Sequence, residues 1–144
     1  MFEFFGNLHP IVIHFPIALV ITAALAEILW SRAPSPGVSS PARFMLRTAA
    51  PFALLSAIFG FAAADGPAFG PELASALAIH RIAGVAAAVL TVLSAGLAES
   101  AARGGEPWRV SFYRAVLFLT TVAIAVTGHF GAVLSHSVDY PPFR

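Results

Sequence analysis

Residues 10–30 read Pro10-Ile11-Val12-Ile13-His14-Phe15-Pro16-Ile17-Ala18-Leu19-Val20-Ile21-Thr22-Ala23-Ala24-Leu25-Ala26-Glu27-Ile28-Leu29-Trp30, an apolar run with Glu27 as its one acid. A helix needs about 20 mostly apolar residues to cross the hydrocarbon core of a bilayer, and this stretch supplies them. Three more runs of that kind follow, at roughly 44–64, 73–97 and 110–134. The breaks between them carry turn chemistry: the Ser- and Pro-rich segment Ser31–Pro41, then Asp65-Gly66-Pro67 with Gly70-Pro71, then Arg103-Gly104-Gly105-Glu106-Pro107. Backbone polar groups find no water in lipid, so each run is expected to be helical.

The composition agrees. Of 144 residues, 58% are apolar and 10% are charged, and mean hydropathy is +0.84. A soluble domain carries about 25% charged residues. The expected class is all-α: an integral membrane four-helix bundle forming a single domain over residues 1–144. The first run lacks a basic leader and a clear cleavage site, so it is expected to remain as the first span. Arg32, Arg43 and Arg47 flank the first loop, and Arg103, Arg109 and Arg114 flank the third. The positive-inside rule places those loops in the cytoplasm and both termini outside. The expectation is an up-down, multi-pass protein of the bacterial cytoplasmic (inner) membrane, with its termini on the periplasmic side.

Composition also excludes chemistry. The absence of cysteine rules out disulfides, thiolate-bound zinc, iron–sulfur clusters and covalently attached haem. The chain has no lysine, its net charge is +1, and its arginines are scattered, so no nucleic-acid partner is expected. No phosphate loop, nucleophile elbow or HExxH helix is present. No catalytic residue is therefore assigned, and an electron-transfer or accessory subunit is expected rather than a stand-alone enzyme.

The chemistry-bearing residues are the five histidines. His14, His80 and His129 fall at similar depth below the expected outer surface, with His9 and His136 at the mouth. An ionisable side chain within a span is a functional candidate, and neutral imidazole is a common metal ligand. Two imidazoles from different helices can clamp a haem iron from opposite sides. Gly84, Gly128 and Gly131 leave room for a flat macrocycle or for close helix packing. His14 and His80 are the expected axial pair, because the first and third spans lie diagonally in an up-down bundle. His129 is the alternative ligand, and His9 and His136 would tune the haem edge. The competing expectation is copper or zinc held by His14, His80, His129, His9 and His136, with Asp65 and Asp139 supporting. A third is a structural or assembly subunit without a cofactor.

Other residues have structural readings. Glu27 is expected to pair with Arg32, Arg43 or Arg47, or to relay protons. Trp30, Trp108 and Tyr113 are placed in the inner interfacial belt and Tyr140 in the outer one. Pro10 is expected to open the first helix with His9 as its cap, and Pro16 to kink it. Four-residue spacings of small residues, such as Ala53 with Ala57, Ser56 with Gly60, Gly84 with Ala88, and Gly128 with Ala132, suit close helix contacts.

The segment Asn7-Leu8-His9-Pro10-Ile11-Val12-Ile13-His14-Phe15-Pro16-Ile17-Ala18-Leu19 resembles the opening of domain-of-unknown-function family 2231, a group of predicted four-span bacterial membrane proteins. Asp65-Gly66, His80, Gly128-His129-Phe130-Gly131 and Leu134-Ser135-His136 are similar to later parts of that pattern. Ala132 and Ser137 stand where the family pattern has glycine. Some members are fused to cytochrome-type domains, so the resemblance implies redox company. The functional expectation is an electron-transfer protein carrying b-type haem near its outer face, between a quinone pool and an outer redox partner. It would act as a homo-oligomer or as a subunit of a larger complex.

Overall fold

The computed structural model describes residues 2–32, 37–64 and 70–137. Among them are five α-helices and no strand: α1 (Phe2–Val12), α2 (His14–Trp30), α3 (Ser40–Ala64), α4 (Ala74–Gly104) and α5 (Pro107–Ser137), with a 3-10 turn at Pro71–Leu73 leading into α4. Four stretches are long and apolar enough to span a membrane: Leu8–Trp30, Ser40–Ala63, Pro71–Gly104 and Pro107–Ser137. The last two run well past the apolar boundaries expected from sequence. A 31-residue helix is about 46 Å long at 1.5 Å per residue, more than the roughly 30 Å of hydrocarbon. Its ends therefore extend into the headgroup layer.

Local chemistry explains the joints. Pro16 has no N–H to offer the Val12 carbonyl, and the helix is interrupted at Ile13 between α1 and α2. Bonds from Ile13 N to His9 O (3.1 Å) and from Ile17 N to Ile13 O (3.3 Å) carry the chain across that joint. Pro10 does not open the helix, because α1 starts at Phe2; Pro10 lies inside it and His9 is a helical residue rather than a cap. Gly105 closes α4 in the left-handed conformation (φ 67°), its N–H bonding Ala101 O. Pro107 then begins α5, where a missing N–H costs nothing.

Helices α2, α3, α4 and α5 contact one another in a closed ring, and α1 lies against α3 and α2. The shared core is built from fully buried small residues (Ala23, Ala42, Ala49, Ala98) beside Val20, Leu46, Leu117 and Tyr113. Small side chains suit a lipid setting, where close packing rather than the hydrophobic effect drives helix association. Gly128 and Ala132 differ from expectation: both are exposed, and no atom lies within 4 Å of where a Gly128 Cβ would stand. The opposite surfaces carry exposed Ile82, Phe118, Phe44 and Leu29, a lipid-facing coat.

Several polar residues inside the ring are paired across helices, while the buried Tyr113 hydroxyl and Arg81 Nε have no hydrogen-bond partner among the described residues. Ser94 and Thr120 share a 2.9 Å hydrogen bond between α4 and α5. At one end, Glu27 is 3% exposed. It accepts from Arg114 Nε at 2.9 Å and from the Ser39 backbone N–H at 2.7 Å. Its partner is thus Arg114 from α5 rather than Arg32, Arg43 or Arg47, because the closed ring brings the start of α5 against the end of α2. Arg43 instead makes a two-pronged contact with Glu99, which also receives Arg47 at 3.0 Å. Tyr113 is fully buried and does not belong to an interfacial belt. Trp108 does fit one: it is exposed, bonds Glu106 at 2.8 Å and carries Arg109 over its ring.

Candidate cofactor site between two histidines

The end of the ring away from Glu27 and Glu99 holds two inward-facing imidazoles, His9 from α1 and His80 from α4. Their ring centroids are 6.4 Å apart and their planes are nearly perpendicular, at 87°. His9 Nδ1 lies 3.0 Å from Ser56 O on α3. His80 Nδ1 lies 2.9 Å from Thr127 O on α5. A carbonyl only accepts, so in both rings Nδ1–H is the donor, and the neutral ring keeps its Nε2 lone pair for another partner. That is the arrangement by which proteins fix the tautomer and orientation of a metal-binding histidine.

A glycine clears the way for each ring. A Cβ on Gly60 would stand 3.0 Å from His9 Cε1, and one on Gly131 would stand 3.0 Å from His80 Cε1. Gly6 does the same for the helix that carries His9: its Cβ would meet the Ala63 backbone at 2.9 Å. Around the two rings lies a cavity of about 460 Å³, lined mostly by apolar and small residues and including Gly84, Thr127, Ser135 and Arg81. Volumes of that order are usual for bound small molecules and cofactors. A second cavity, of about 330 Å³, lies between α2 and α5 beside Glu27 and Arg114.

The remaining histidines are placed elsewhere. His14 reaches the cavity wall but is exposed, its Nδ1 turned back onto Pro10 O of its own segment. His129 is exposed and sits edge-to-face with Phe130. His136 is exposed in the last turn of α5. The ring that faces His80 is therefore that of His9, not of His14. Among the described residues no three His, Asp or Glu side chains come together as a metal cage. Asp65, Asp139 and Tyr140 lie outside the described residues.

The two halves of the site are built alike. His9 and its carbonyl acceptor Ser56 are 47 positions apart, and His80 and Thr127 are also 47 apart. The constant shift in numbering that takes His9 to His80 also takes Ser56 to Thr127, Gly60 to Gly131 and Arg43 to Arg114. It takes buried Leu46 to buried Leu117, and buried Ala49 to buried Thr120. The ion pairs are reciprocal: Arg43 of the first half meets Glu99 of the second, and Arg114 of the second meets Glu27 of the first. Each histidine thus bonds within its own half, and the two halves meet at the ring pair.

The profile of domain-of-unknown-function family 2231, described as a predicted membrane protein, matches residues 6–139. The chain belongs to this family. The family 2231 match covers both histidines of the ring pair, both glycines beside them and both reciprocal ion pairs. No curated protein and no solved structure matches the chain.

Proposed function

We propose that this family 2231 protein is a membrane electron-transfer protein that holds a b-type haem between His9 and His80. The observation that carries the proposal is the ring pair. Two imidazoles bound to one metal ion from opposite sides, each through a nitrogen about 2 Å away, have centroids about 6 Å apart. The 6.4 Å of His9 and His80 fits that spacing. Both Nδ1–H groups are occupied by carbonyls, Gly60 and Gly131 leave room beside the rings where a Cβ would crowd them, and the adjoining cavity is largely apolar. Bound there, haem supplies a one-electron ferric/ferrous couple. The chain's part is to present two neutral imidazoles at fixed spacing, to hold their tautomers through Ser56 and Thr127, and to surround the site with hydrocarbon.

We place the ring pair toward the outer face. The contacts support an up-down course, since the start of α3 meets the end of α4 and the end of α2 meets the start of α5. Arginines cluster at that end, as the positive-inside rule asks of the cytoplasmic side. A quinol donor and an outer redox partner, with the bacterial inner membrane as the setting, complete the proposal. Copper or zinc is less well served, because among the described residues no three His, Asp or Glu side chains come together there.

The test is a visible spectrum with metal and porphyrin analysis of protein purified after expression with ample haem. The expected result is a Soret band with one iron porphyrin per chain, lost in His9→Ala and in His80→Ala and kept in His14→Ala, His129→Ala and His136→Ala. Copper or zinc without porphyrin, or no bound cofactor at all, would overturn the proposal.

A further inference from the structure

We infer that Arg81 anchors a carboxylate of the porphyrin held by His9 and His80. This rests on the haem reading above and goes beyond it in naming the group that receives the macrocycle's anionic edge. Arg81 follows His80 on α4 and lines the same cavity. It is half-buried, and its Nε is buried with no hydrogen-bond partner among the described residues. Other half-buried arginines, held in ion pairs, differ: Arg43 meets Glu99, and Arg114 meets Glu27. A guanidinium stays protonated and presents a planar fork of donors matched to a carboxylate. A buried guanidinium N–H with no acceptor among the described residues, beside an apolar cavity, is best met by an anionic oxygen from whatever fills that cavity.

The likeness of the two halves sharpens the point. The residue after His9 is Pro10, while the residue after His80 is Arg81. The two histidines, their carbonyl acceptors and their glycines are matched, so they alone hold a disc without distinguishing its edges. Arg81 breaks that match on one side. A macrocycle with two carboxylates on one edge is therefore oriented with that edge toward Arg81.

The experiment titrates the cofactor-free full chain in detergent with haem and with haem dimethyl ester, in which both carboxylates are blocked, following the Soret band. Wild-type protein is expected to bind haem about tenfold more tightly than the ester, the value of one charge-assisted hydrogen bond. Arg81→Gln is expected to bind both alike, at the wild-type affinity for the ester, and Arg81→Lys to recover part of the preference. The haem-loaded Arg81→Gln protein should also show a lower midpoint potential, because removing a nearby cation favours the ferric state. Helical circular dichroism checks that each variant is folded. Equal preference for haem in wild type and Arg81→Gln, with ester still bound, would overturn the Arg81 assignment and leave the haem reading standing. Failure of wild type to bind either compound would overturn both.

Discussion

At the scale of single residues, the glycines beside the rings are the sharpest features. Gly60→Ala and Gly131→Ala each bring a methyl to 3.0 Å from an imidazole carbon, so the ring must move by a few tenths of an ångström. Each is expected to weaken haem retention by about tenfold, or about 1.4 kcal/mol, while Gly128→Ala, with open space around it, leaves retention unchanged. Haem-transfer rates to apomyoglobin measure this; equal rates in all three would detach the glycines from the site. The buried carboxylate makes a second residue-scale contrast. Arg114→Ala leaves the buried Glu27 carboxylate with the Ser39 N–H but without its cation, and stranding a buried charge costs about 3–5 kcal/mol. Arg43→Ala leaves Glu99 with Arg47 in a more exposed setting, and is expected to cost about 1 kcal/mol or less. Unfolding in detergent titrations should rank the two that way.

At the scale of elements, α1 decides whether His9 reaches the site. It rests on α3 where Gly6 meets the Ala63 backbone, and a Cβ there at 2.9 Å cannot be relieved by turning a side chain. Gly6→Ala is expected to lift α1 from α3 and to lose haem as His9→Ala does, while leaving helix content intact by circular dichroism. The loop between α4 and α5 has its own signature. Hydrogen bonds from Arg109 and then Trp108 hold the Glu106 carboxyl below the usual carboxylate range. The contact is therefore present at neutral pH and is lost only as the pH falls through that lowered value. In a Trp30→Phe background, Trp108 fluorescence should stay constant through the ordinary carboxylate range and change below it.

At the scale of the whole molecule, the four spans were legible because apolar runs of that length have one stable form in lipid. That the histidines gather toward one end of the spans was legible too, since all five lie near the same ends of the apolar runs. The pairing was not. Placing His9 outside the first helix followed from reading Pro10 as a helix start, whereas the helix begins a full two turns earlier and takes proline inside. The longer helix carries His9 into the ring pair, while His14 is exposed. For Glu27, sequence proximity points to Arg32, Arg43 or Arg47, but its partner Arg114 comes from the last helix. One signal in the sequence did carry the pairing: the constant shift linking His9, Arg43, Ser56 and Gly60 to His80, Arg114, Thr127 and Gly131 marks two related halves. Here the matched histidines meet where the halves do.

The electron paramagnetic resonance spectrum of the oxidised, haem-loaded protein tests the central claim most directly, because it reads both the number of imidazoles on the iron and the angle between their planes. The perpendicular rings of His9 and His80 predict a single low-spin signal of the highly anisotropic kind, replaced by a high-spin signal in His9→Ala and in His80→Ala and unchanged in His14→Ala. A high-spin signal in the wild type, or a low-spin signal that survives loss of His9 or His80, would contradict the account.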